Sequence, residues 1–142
     1  MFAKFIRATV AVSAAALMLS ALPALAETLM FKADMAAAPS VTTKGAGTLT
    51  ATYDTATKML TWKGEYTGLS GDAGAAHFHG PAEAGKDAGV VVPFASAKSP
   101  LEGSATLTDA QAADLMASKW YVNVHTAANP KGEIRGQVVP AK

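Results

Sequence analysis

Residues 47–67 read Gly-Thr-Leu-Thr-Ala-Thr-Tyr-Asp-Thr-Ala-Thr-Lys-Met-Leu-Thr-Trp-Lys-Gly-Glu-Tyr-Thr. Leu49, Ala51 and Tyr53 alternate with Thr48, Thr50 and Thr52, the period of two that marks a strand with one face buried. Asp54 to Thr57 supplies turn chemistry. Leu60, Trp62 and Tyr66 then alternate with Thr61, Lys63 and Glu65. The stretch predicts a β-hairpin with an aromatic inner face, and it sets the pattern for the rest of the chain.

On the N-terminal side, residues 28–34 predict a first strand, and Ala36 to Thr42, with Pro39, a loop. On the C-terminal side, a turn region from Gly68 to Gly74 leads into a short strand, Ala75 to His79. Gly80-Pro81 breaks it before a polar loop that runs to Ala88. Val90, Val92 and Phe94 alternate in the next strand, and Leu101, Ala105 and Leu107 in another. Thr108-Asp109-Ala110-Gln111 has the form of a capping box, in which Thr caps the backbone and Gln reaches back, so a short helix is expected over 109–118.

Trp120 to Thr126 resumes the alternation, with Tyr121, Asn123 and His125 on one face and Trp120, Val122 and Val124 on the other. After a loop from Ala127 to Gly132, Glu133 to Val139 closes the chain. Ile134 and Val138 fall on one side of it, Glu133, Arg135 and Gln137 on the other. Seven or eight short strands at this spacing predict an all-β antiparallel sandwich or barrel with one helix.

The N-terminus has a different character. Lys4 and Arg7 precede an apolar run from Ala8 to Leu22, and Ala24-Leu25-Ala26 has the small-x-small form of a signal-peptidase site. The expectation is a signal peptide over 1–26, cut after Ala26, and one domain over 27–142 that is periplasmic or secreted. The alternative, an uncleaved anchor, needs about 20 apolar residues, more than this run supplies. Removing Lys4 and Arg7 leaves ten basic side chains against eleven acidic ones, turning the formal charge from +1 to −1. Nucleic acid is therefore not an expected partner. No later stretch is apolar enough to span a membrane. The chain has no cysteine, which excludes disulfides, thiolate metal sites and cysteine nucleophiles.

The three histidines lie in two patterned segments, Ala76-His77-Phe78-His79-Gly80-Pro81-Ala82 and Tyr121-Val122-Asn123-Val124-His125-Thr126. The second runs on to Asn129-Pro130-Lys131-Gly132-Glu133-Ile134-Arg135-Gly136-Gln137. Together they resemble the two signatures of the CHRD domain family, including its single-domain exported bacterial members. The resemblance implies a Greek-key β-sandwich of superoxide dismutase-like or immunoglobulin-like form. It implies no particular activity.

The histidines carry their own chemistry. Residues two apart on a strand point the same way with Cα atoms about 6.5 to 7 Å apart, so His77 and His79 can offer two imidazoles to one ion while Phe78 faces away. If the His125 strand is a neighbour, a third imidazole completes a set suited to Cu or Zn, and ring nitrogens within about 4 Å of one another would make a shared ion credible. Asn123, Glu133 and Arg135 are expected to support that set. In this reading Glu133 or Asn123 accepts an imidazole N–H, Arg135 attracts an anion, and Glu133 and Arg135 share a face and can pair.

No catalytic residue is expected. Three histidines cannot furnish both metal sites of a copper/zinc dismutase, and there is no serine elbow, phosphate loop or dinucleotide fingerprint. The competing reading is a structural or protein-interaction module of the cell envelope with no metal, in which the histidines brace loops. Trp62 and Trp120 are expected in the core. Met30, Met35, Met59 and Met116 are too scattered for a methionine-rich copper site.

Overall fold

The structure is a computed structural model that describes residues 21–142. Most of the expected signal peptide, residues 1–20, lies outside the described residues. Residues 21–27 carry no regular secondary structure and are exposed.

Eight strands and one helix follow: β1 (Thr28–Ala37), β2 (Ala46–Asp54), β3 (Met59–Thr67), β4 (Ala73–His79), β5 (Val90–Pro93), β6 (Leu101–Thr106), α1 (Asp109–Met116), β7 (Trp120–Thr126) and β8 (Ile134–Pro140). The hairpin of residues 47–67 forms as read, with Leu49 opposite Gly64, Ala51 opposite Trp62 and Tyr53 opposite Leu60. Its turn is tied by the Asp54 carboxylate, which accepts from the backbone N–H groups of Ala56 and Thr57 at 2.8 and 2.9 Å. β1 is longer than expected, running through Ala37, because Ala36 and Ala37 pair with Arg135 and Ile134 of β8. That pairing holds the chain extended up to the turn at Pro39-Ser40.

The strands form one antiparallel sheet in the order β5-β4-β7-β8-β1-β2-β3-β6. β5 and β6 are its two edges. If they met, the ring would close with β4-β5-β6 as a meander, β7 beside β4 and β3 beside β6, which is the Greek-key arrangement. The sheet curls so that its two halves share one core. Trp62 of β3 meets Phe78 of β4 edge to face at 5.2 Å and stacks on Phe94 at 4.8 Å. Trp120, Phe31, Leu60, Val122, Val124, Ile134 and Val138 fill the space around them.

Each such buried side chain contributes roughly 1.5 to 3 kcal/mol of transfer free energy. The aromatic pairs add about 0.5 to 1.5 kcal/mol each beyond area. Gly103 of β6 is a packing requirement: a Cβ there would lie 2.4 Å from Cζ2 of Trp62.

The capping box forms as expected. The Thr108 hydroxyl accepts from the Gln111 N–H, and the Gln111 side chain accepts from the Thr108 N–H at 2.9 Å. The helix stops at Met116, short of the expected Ser118, which has a φ of 59°. Among the described residues, no helix is long and apolar enough to cross a membrane.

Glu133 departs from the strand pattern. It precedes β8, follows Gly132 at a φ of +118°, and is fully buried. The positive φ resets the phase of the alternation, so Glu133 does not share the outer face of Arg135. Arg135 pairs with Asp87 instead, at 2.8 Å.

Candidate metal centre

The centre lies on the outer face of the β4 and β7 strands. Phe78 points inward to the core, so strand alternation turns His77 and His79 outward together. On β7, Val122 and Val124 are in the core and Asn123 and His125 take the outer face. Pairing is antiparallel, with His77 opposite Asn123, His79 opposite Tyr121 and Ala75 opposite His125. His125 is thus the diagonal neighbour of His77, a separation that long side chains bridge. The structure brings all three histidines together, with one candidate ligand atom from each within 4.8 Å of the others.

The cluster is tight at one edge and wider at the other. His77 Nδ1 is 3.1 Å from His125 Nε2. With the His125 hydrogen on Nδ1, this is a hydrogen bond donated by His77 Nδ1, and its length also falls within the roughly 2.9 to 3.3 Å that separates neighbouring ligand atoms for metal–nitrogen bonds of about 2.0 to 2.1 Å. The 4.8 Å outer limit exceeds the roughly 4 Å that two nitrogens can span across one ion, so the rings must close by about 1 Å to share it.

Backbone carbonyls set two of the ring tautomers. His125 Nδ1 is 2.9 Å from the Pro130 carbonyl and His79 Nδ1 is 2.9 Å from the Ala88 carbonyl. A carbonyl only accepts, so each Nδ1 carries its hydrogen and a neutral ring keeps its lone pair on Nε2. His79 Nε2 is buried with no hydrogen-bond partner among the described residues. Burial, and then the charges of His125 and His79, hold the His77 pKa below the ordinary 6.5. A neutral imidazole is the form that binds metal.

The surroundings hold the histidines in place. Tyr121 stacks on His79 with ring centres 4.8 Å apart and planes within 4°. The Arg135 guanidinium covers the other part of that column, 3.6 Å from the Tyr121 ring centre. The loop after β4 is fastened down over them. Arg135 donates to Asp87 and to the Lys86 carbonyl, and Gln137 donates to the Ala82 carbonyl. The Tyr121 hydroxyl donates to the Ala88 carbonyl at 3.2 Å. A cleft of about 450 Å³, lined by Asp72, Gly74, Thr126 and Pro130, opens beside His77 and His125.

The three expected supporting residues take different places. The Asn123 side-chain oxygen is 2.9 Å from His125 Nε2. Arg135 acts through Tyr121 and the loop. The Glu133 carboxylate bonds neither an imidazole nor Arg135. It accepts from the hydroxyls of Thr43 (2.6 Å), Ser70 (2.7 Å) and Thr126 (2.6 Å), from the Ser70 N–H (2.8 Å) and from the Asn129 amide (3.3 Å).

Among the described residues, no Lys or Arg pairs with Glu133. Burial alone would raise its pKa, but the hydroxyls of Thr126, Thr43 and Ser70 and the Ser70 N–H outweigh that and hold it at about 2. Sequence reasoning missed the carbonyls of Ala88 and Pro130, which carry no side-chain signal, and the Thr43, Ser70 and Asn129 cradle.

Fold and site together define an all-β domain, a curled eight-stranded antiparallel sheet with a three-histidine cluster on its outer face. The chain belongs to the CHRD domain family, whose model matches residues 29–138 and so spans both histidine signatures. Comparison with curated proteins and with solved structures gives no match.

Proposed function

We propose that this CHRD domain is an exported binding domain that takes one divalent transition-metal ion, Cu(II) or Zn(II), through His77, His79 and His125. Export follows from the signal peptide read over residues 1–26, which would place the domain in the periplasm or outside the cell. The observation that carries the metal reading is the convergence of three imidazoles, two of them locked by backbone carbonyls with Nε2 lone pairs left free. Such carbonyl-fixed tautomers are the usual support of metal-binding histidines. Three nitrogen donors suit Cu and Zn better than the oxygen-seeking Mg or Ca.

One observation favours a second reading. The same two hydrogen bonds tie His79 to the loop at Ala88 and His125 to the loop at Pro130, as a purely structural brace would. Titration of residues 27–142 with Cu(II) and Zn(II), wild type against His77→Ala and His125→Ala, separates the two. The metal reading predicts binding tighter than about 10 μM that either substitution weakens at least tenfold. It also predicts that a chelator removes most of the difference in thermal stability between wild type and variants. Binding weaker than that, or indifferent to both substitutions, leaves the brace as the function of the histidines.

A further inference from the structure

The Asn123 side chain reaches the edge of the histidine cluster. Its side-chain oxygen is 2.9 Å from His125 Nε2. The Pro130 carbonyl assigns the hydrogen of a neutral His125 ring to Nδ1, so Nε2 presents a lone pair. A lone pair thus faces the Asn123 oxygen, itself an acceptor. His77 Nδ1 approaches the same Nε2 at 3.1 Å, and His79 Nε2, also an acceptor, waits buried and unpartnered nearby. With its hydrogen on Nδ1, His77 can donate to the His125 Nε2, whereas a cation at the same point would engage that nitrogen, the Asn123 oxygen and His79 Nε2 together.

We infer that Asn123 is a fourth protein ligand, its amide oxygen binding the same ion as the three imidazoles. This rests on the histidine site proposed above and deepens it. The distances of 2.9 and 3.1 Å from His125 Nε2 to the two neighbouring donors are both edge lengths of a coordination polyhedron with bonds near 2.0 to 2.1 Å. Asn123 is 4% exposed and lies directly across the sheet from His77, so its side chain is held beside the pair by the strand register itself. The resulting set, three nitrogens and one neutral oxygen, brings no negative charge to the ion. It suits a borderline divalent ion such as Cu(II) or Zn(II), and leaves the cleft beside His77 and His125 as the approach for an exchangeable anion or water.

The test compares wild type, Asn123→Ala and Asn123→Asp in two measurements. The first is competition titration with Cu(II) and with Zn(II) alone, and the second is the electron paramagnetic resonance spectrum of the Cu(II) proteins. Asn123→Ala is expected to weaken binding about 10- to 100-fold and to change the Cu(II) spectrum. Asn123→Asp, which puts a charged oxygen at the same place, is expected to bind more tightly than wild type. The near-isosteric Asp variant keeps the comparison valid even if the Ala variant folds poorly. Wild-type binding together with unchanged affinity and an unchanged spectrum in both variants overturns the role of Asn123 and leaves the histidine site standing. Absence of binding by wild type overturns both.

Discussion

Replacing Glu133 by Gln is expected to destabilise the domain even though the two side chains have nearly the same shape. The carboxylate accepts five hydrogen bonds from Thr43, Ser70, Thr126 and Asn129, and its charge strengthens each. A hydrogen bond to a charged group contributes about 1.5 to 3 kcal/mol against about 0.5 to 1.5 for a neutral pair, so each of the five loses about 1 kcal/mol. The hydroxyls of Ser70 and Thr126 can turn to accept from the new amide, which recovers part of the loss. A net cost of about 3 kcal/mol follows, or a fall in Tm of roughly 12 °C for a domain of this size.

The pH dependence supplies the control. The Glu133 pKa is lowered from 4.5 to about 2. Its stabilising contribution is therefore present above the unfolded value and lost as pH falls through the folded one. Urea unfolding at pH 7, 4 and 2.5 reads both effects: the gap between wild type and Glu133→Gln should be full at pH 7 and should narrow toward pH 2.5. A cost under about 1 kcal/mol at pH 7, or a gap that does not change with pH, would refute the reasoning.

Other substitutions test the packing, the helix and the centre. Gly103→Ala should cost about 1 to 3 kcal/mol by forcing Trp62 off the β6 backbone, read as a shift in urea midpoint at constant slope. A neutral result there would mean that Trp62 moves aside freely. Thr108→Ala removes half of the capping box and should cost about 0.5 to 2 kcal/mol, with thermal melting as the measure. Metal affinity should fall with acidification as protons compete for the imidazoles. Because the His77 pKa lies below 6.5, that ring stays neutral and available to lower pH than an ordinary histidine. A His77 ring that NMR shows to protonate above pH 6.5 in the metal-free protein would contradict the lowered value.

The strands were legible because a period of two survives wherever one face is buried. The two strands of the hairpin, β7 and the capped helix could each be read from fewer than a dozen consecutive residues. The His77 and His79 pair was legible for the same reason. The convergence of His125 depended on β4 lying beside β7, a pairing that follows from topology rather than from either segment alone.

Glu133 was misplaced because a positive φ at Gly132 interrupts the period just before β8. Its partners Thr43 and Ser70 lie 90 and 63 residues away along the chain, beyond any local pattern. The carbonyls that fix His79 and His125 are invisible to sequence, since every residue has one.

The chain holds three histidines, so long-range proton–nitrogen correlation NMR of untagged residues 27–142 observes every imidazole separately. Without metal, the spectrum should show His79 and His125 with hydrogen on Nδ1. One equivalent of Zn(II) should then shift all three rings together, in the pattern of Nε2 bonding for His79 and His125 and Nδ1 bonding for His77. Three rings unmoved by one equivalent of Zn(II), or only one of them moved, would contradict a shared metal centre.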